Sequence, residues 1–136
     1  MNKRMVIVAV ATMLLVGCKE IRYTTKGAYL GAMHELGTEL KTIGLCPVGS
    51  SLETVNEPYV FDDEWKNDWV VYDTRRFADS LGNTATFTVR YRKFREGMIN
   101  VEVSGCDVSR PDYYRYVCGD DGVIQRLNSL RTTMSK

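Results

Sequence analysis

One histidine, three prolines and no Cys-x-x-Cys pair occur in 136 residues. Each scarcity excludes something. A structural zinc site takes closely spaced Cys and His ligands, and with His34 the only imidazole no such spacing exists. A Ser-His or Cys-His nucleophile would have to use His34, and no flanking motif supports one. His34 reads instead as a boundary residue of a helix, beside Met33. No Gly-x-x-x-x-Gly-Lys phosphate loop is present. Asp62-Asp63-Glu64 with Asp68 lacks the alternating acidic loop that wraps calcium, and reads as a solvated acidic stretch. No cofactor or metal is expected. There is no low-complexity tract, internal repeat or Pro-rich linker, and 18 basic against 17 acidic residues leave no basic excess to bind nucleic acid.

Long apolar runs are also missing, with one informative exception. Met1-Asn2-Lys3-Arg4 is basic, residues 5–16 are apolar apart from Thr12, and Gly17-Cys18 follows. Those 12 residues fall short of the roughly 20 that a membrane-spanning helix needs, but suit the core of a secretory signal. Leu15-Val16-Gly17-Cys18 resembles the lipobox of bacterial lipoproteins: an aliphatic residue, a tolerant position, a small residue, then cysteine. The resemblance implies cleavage between Gly17 and Cys18, with a diacylglycerol on the Cys18 thiol and a further acyl chain on the freed amine. Two or three chains, at about 0.8 kcal/mol per buried CH₂, hold a protein stably on a membrane. Lys19, where Asp would retain a Gram-negative lipoprotein in the inner membrane, implies the outer membrane and its periplasmic leaflet.

Residues 1–17 are thus expected to be a signal peptide, 18–25 a lipidated tether and 26–136 one small domain. Cleavage removes Lys3 and Arg4 but no acid, so 16 basic residues face 17 acidic ones and the formal charge becomes −1. The remaining 119 residues suit a single modest core. Cys46, Cys106 and Cys118 allow one disulfide in an oxidising compartment. Cys106 with Cys118 closes the shortest loop and is favoured; Cys46 with either of the others is the alternative.

Tyr29, Met33, Leu36, Leu40 and Ile43 share one face of a helix predicted over 26–43, with Gly44 positioned to end it. Gly31 and Gly37 weaken that helix unless another element approaches closely there. Residues 47–68 read as irregular, and strand-like sequence begins at Trp69-Val70-Val71-Tyr72. The best-defined feature is a hairpin. Ala85, Phe87, Val89 and Tyr91 alternate with polar residues, as do Ile99, Val101 and Val103. A three-residue loop, Arg95-Glu96-Gly97, sets Tyr91 opposite Val101, Val89 opposite Val103 and Arg90 opposite Glu102. A two-residue loop would pair apolar with polar throughout. Half of the cluster Arg90, Arg92, Lys93 and Arg95 then belongs to the wet face, and the cluster reads as surface. Residues 105–118 read as a loop, and Asp120 or Asp121 as the cap of a last helix bearing Val123, Leu127, Leu130 and Met134. The expected fold is α+β: an N-terminal helix, a three-stranded antiparallel β-meander and a C-terminal helix.

That arrangement broadly resembles small lipoprotein accessory subunits of outer-membrane assembly machines, although their sequence motifs are not found. The composition of Tyr113-Tyr114-Arg115-Tyr116 suits an interface hot spot and also an edge strand, and Trp65 sits among polar residues. These five residues are the candidate partner contacts. The expected function is non-enzymatic: an outer-membrane lipoprotein binding another envelope protein. It would serve as an assembly or secretion subunit, or as a receptor-blocking or exclusion lipoprotein of a mobile element. A cell-wall hydrolase using paired carboxylates, or a small-ligand carrier, is the alternative.

Overall fold

A computed structural model describes residues 22–61, 64–95 and 97–134, with side chains over 23–58, 68–94 and 97–130. The expected signal peptide, Gly17 and Cys18 lie outside the described residues. So do Asp62, Asp63 and the side chain of Trp65.

The first helix, α1 (Lys26–Thr42), matches its apolar spacing: Tyr29, Met33, Leu36 and Leu40 are buried. The Thr25 hydroxyl caps it by accepting from the Ala28 N–H at 3.1 Å. Gly44 ends it at φ +92, where a side chain would be strained. The Gly44 N–H donates to the Lys41 carbonyl and the Leu45 N–H to the Leu40 carbonyl, so two end carbonyls are satisfied as buried Leu45 folds back beside Leu40. The alternative of a close approach at Gly31 and Gly37 is not realised, since a Cβ at either position would meet nothing within 4 Å.

The three-stranded meander is corrected to a five-stranded antiparallel sheet in the order β1-β5-β4-β3-β2. Its strands are β1 (Arg22–Thr24), β2 (Cys46–Phe61), β3 (Glu64–Ala78), β4 (Thr84–Arg95) and β5 (Met98–Val108). The expected meander survives as β3-β4-β5. The additions are two edge strands that carry little alternation: β1 is three residues long, and β2 begins Cys46-Pro47-Val48-Gly49-Ser50-Ser51. An edge strand exposed on both faces has no buried set to alternate with, so pairing with β3, not its own pattern, makes 47–61 a strand. Part of the expected 18–25 tether is therefore structured: 22–24 form β1 and Thr25 caps α1.

In the β4–β5 hairpin, Tyr91 pairs with Val101, Val89 with Val103 and Arg90 with Glu102, the expected register. The turn reaches that register differently. Arg95 pairs with Met98, the ladder shifts between Lys93 and Arg95, and Gly97 takes φ +77. A short tip and a bulge together supply the one-residue offset expected from a longer loop.

Residues 105–118 are mostly not a loop. β5 continues to Val108, followed by a 3₁₀ turn (Pro111–Tyr113), a single helical turn α2 (Tyr114–Val117) and α3 (Val123–Met134). The edge-strand reading of Tyr114 and Tyr116 falls with this. Neither Asp120 nor Asp121 caps α3: its first bond runs from the Arg126 N–H to the Gly122 carbonyl, and the Asp121 carboxylate pairs with Arg115 at 2.9 Å. Glycine at 122 is required by packing, because a Cβ there would lie 2.2 Å from the Val117 carbonyl oxygen.

The helices α1, α2 and α3 cover one face of the sheet. Tyr29, Met33, Leu36 and Leu40 of α1 and Val123 and Leu127 of α3 form one core with Phe77, Phe87, Val89, Tyr91 and Val101. The opposite face is polar and tied crosswise. Arg90 on β4 pairs with Glu57 on β2 at 2.9 Å and Glu102 on β5 at 3.0 Å, and the Tyr72 hydroxyl on β3 donates to Glu57. One row of side chains thus links four strands. Cys106 and Cys118 form a disulfide that ties β5 to the end of α2, and among the described residues Cys46 is the free, exposed thiol.

Candidate binding surface

The helices leave β2 uncovered. α1 lies across the middle of the sheet, and an open groove of about 860 Å³ separates its flank from β2 and β3. Lys26, Leu30, His34, Thr38 and Lys41 form its helical wall; they recur at three- and four-residue steps as a second stripe beside the buried one. The other wall is β2 from Pro47 to Leu52, and Asp73, Arg75 and Phe77 form the floor. Gly37 adds no side chain to the helical wall.

Strand register fixes which β2 side chains face the groove. Leu52 pairs with Asp73 and Ser50 with Arg75, and opposite residues of an antiparallel pair share a face. Asp73 points toward α1, because its carboxylate accepts the Tyr29 hydroxyl proton at 2.6 Å. Ser50 and Leu52 therefore lie on the groove side, whereas Glu53, opposite Tyr72, lies on the polar face. Leu52 is 68% exposed and Trp69, two positions beyond Val71 on the same face as Asp73, is 61% exposed. Leu52 lines the groove, and Trp69 adds a second large exposed apolar side chain on the same face of the sheet.

The floor is rigid and charged. Arg75 holds Asp73 with two bonds, at 2.9 and 3.2 Å, and Asp73 is almost wholly buried. Burial first, and then the bond to the Asp73 carboxylate, push the Tyr29 phenol far above its ordinary range. Among the described residues Asp73 is the groove's one acidic residue, against Lys26, Lys41 and Arg75. The groove is thus cationic in a chain whose overall charge is near zero.

The five expected partner contacts do not form one site. Tyr113 is buried and donates its hydroxyl to Asp79 at 2.6 Å. That bond, with further bonds from Asn83, holds the Asp79 carboxyl well below the usual carboxylate range. Tyr114 and Tyr116 are exposed on the α2 turn, and Arg115 lies over the Tyr116 ring, 5.9 Å from its centre. Trp65 belongs to β3 opposite Val60, away from α2 in the sheet order. Sequence reasoning did not find the groove, although two signals were readable. One is the polar and cationic stripe alongside the buried stripe of α1; the other is Leu52, a lone large aliphatic in a polar stretch.

Among the described residues no group of three or more His, Cys, Asp or Glu side chains could hold a metal ion. None of the described helices is long and apolar enough to cross a membrane. Comparison of the chain with protein-family models, curated proteins and solved structures finds no match.

Proposed function

We propose that the protein is a lipid-anchored outer-membrane lipoprotein that binds another protein of the cell envelope without catalysing a reaction. The observation that carries this reading is the order of the sheet. β1, the strand nearest Cys18 in the chain, is one edge; β2, exposed along most of its length, is the opposite edge. If Cys18 carries acyl chains, four residue steps separate it from Arg22, a reach of roughly 14 Å at most. The anchored edge is then held at the bilayer. Four strand spacings of about 4.8 Å set the bare edge roughly 19 Å away across the sheet. A short leash at one edge and an unused edge at the other suit a protein that presents a surface to a neighbour. The assembly or secretion subunit and the exclusion lipoprotein are both forms of this function.

Two measurements test it. A Cys18→Ala variant should lose labelling by radioactive palmitate and leave the membrane fraction; retention with labelling would overturn the anchor. Tagged protein from detergent-solubilised outer membranes should bring down one envelope protein near 1:1 stoichiometry. Folded, lipidated protein recovered alone would overturn the binding role.

A further inference from the structure

We infer that the outer edge of β2 with the adjoining groove is a β-augmentation site for an extended, acidic segment of the partner protein. This rests on the binding function proposed above and names where and how it is exercised. Edge strands present unpaired N–H and C=O groups, and proteins ordinarily blunt them with proline, lysine, shortness or a cover. The β1 edge is three residues long, with α3 packed against it. The β2 edge has none of these protections between its prolines. Pro47 and Pro58 lack N–H donors, and Val48 sits in a bulge; residues 49–57 form a regular ladder with β3 and contain neither proline nor lysine. Among the described residues no backbone bond from 49–57 leaves that ladder. Nine residues at about 3.3 Å each give roughly 30 Å of usable edge, so the prolines set the length of strand the site accepts.

The charges choose the occupant. A strand added beside β2 sends alternate side chains toward the groove and the polar face. On the groove side they meet Lys26, Lys41 and Arg75 with one acid, Asp73, already held by Tyr29 and Arg75. Among the described residues Lys26 and Lys41 have no ion pair. Acidic residues at every second position complement this wall, and Leu52 and Leu30 offer apolar contacts between the charges. A second copy of β2 is a poorer occupant. Its groove-side residues Ser50, Leu52 and Thr54 are uncharged, and its own cationic groove would come with it.

The test uses the full chain in detergent and a fluorescein-labelled nine-residue peptide, Thr-Glu-Val-Glu-Val-Glu-Val-Glu-Thr. Fluorescence anisotropy should show at least tenfold tighter binding than for the same peptide with Lys in place of Glu. N-methylation of alternate peptide nitrogens on the pairing edge should abolish binding. The double variant Lys26→Glu/Lys41→Glu should weaken it at least tenfold, and both side chains are exposed, so the fold should be retained. Hydrogen exchange should slow at 49–57 when the peptide is bound. Equal binding of the Glu and Lys peptides, no binding, or protection elsewhere would overturn the inference, as would a concentration-dependent dimer that protects β2 and excludes the peptide. In cells, a photo-crosslinker at Leu52 should trap the partner and one at Tyr116 should not. Crosslinks from Tyr116 alone would reject this site while leaving the binding function standing, and crosslinks from neither would count against both.

Discussion

Among the described residues Thr24 and Asp73 are the two buried polar side chains, and they lie at opposite extremes of satisfaction. Among the described residues the Thr24 hydroxyl on β1 has no hydrogen-bond partner. A buried, unsatisfied hydroxyl costs about 1–3 kcal/mol in mutational data. Thr24→Val keeps the shape and the β-branch while removing the orphaned oxygen, so it should stabilise the fold by about 1 kcal/mol. Urea unfolding reads this as a higher midpoint at unchanged slope; a lower midpoint would mean that the hydroxyl has a partner. Asp73 is the reverse case, since the Tyr29 hydroxyl and the Arg75 guanidinium both depend on its carboxylate. Asp73→Ala strands a buried phenol and a largely buried cation, and should destabilise by about 3 kcal/mol or more in the same assay. Sequence alone could read half of this pair. Tyr29 falls on the apolar stripe of α1, but its partner lies 44 residues away in a strand with charges on both faces. Nothing local marks which of Asp68, Asp73 and Asp79 turns inward.

At the scale of elements, legibility followed burial on one face. α1 and the β4–β5 hairpin each have one buried and one wet side, so their periods wrote their type and even the pairing of Tyr91 with Val101 into the sequence. β2 was hidden because pairing with a single neighbour leaves it wet on both faces, and Gly49-Ser50-Ser51 imitates turn chemistry. The groove was hidden for the same reason, since one of its walls is that strand. The 3₁₀ turn and α2 were hidden differently. Four-residue helices are too short to show a period, and this pair is held by outside ties, the Tyr113–Asp79 bond and the Cys106–Cys118 disulfide. The disulfide closes a short loop, which stabilises by about 3 kcal/mol in the chain-entropy model. Cys106→Ala/Cys118→Ala should therefore lower the melting temperature by roughly 10–20 °C in a domain of this size. Hydrogen exchange should accelerate first at α2 and the start of α3, with β3 and β4 keeping their protection. Uniform loss across the sheet would show that the bond supports the whole core and not this corner.

Across the whole molecule, tyrosine hydroxyls tie elements together: two join elements distant in the chain, and a third crosses the paired β2–β3 hairpin. Tyr29 fastens α1 to β3, Tyr72 fastens β3 to β2, and Tyr113 fastens the 3₁₀ turn to the β3–β4 connection through Asp79. All three phenols are raised above their ordinary range: Tyr29 by burial and then by its bond to Asp73, Tyr72 by its bond to Glu57, Tyr113 by its bond to Asp79. Folding thus favours the protonated phenols. Their contribution is whole below the unfolded-state value near pH 10 and drains away as the pH rises above it. The carboxylates work in the opposite sense. Glu57, bonded by Tyr72 and then Arg90, and Asp79, bonded by Tyr113 and then Asn83, titrate below their usual range, so their contribution is present above about pH 4 and is lost as the pH falls through their folded values. The same bonds therefore limit stability from both ends of the pH scale, with a plateau between. Tyr29→Phe separates one tie from the rest. At pH 7 it should lower stability by the loss of one hydrogen bond to a charged group, about 1.5–3 kcal/mol. Between pH 10 and 11, where each phenol that folding keeps protonated costs up to a factor of about ten in the folding constant per pH unit, the variant should lose stability less steeply than the native protein, by one proton's worth. Urea midpoints at pH 7, 9, 10, 10.5 and 11 read both effects. Parallel alkaline limbs for the two proteins would mean that Tyr29 ionises as freely in the fold as outside it, and that the tie between α1 and β3 does not depend on its proton.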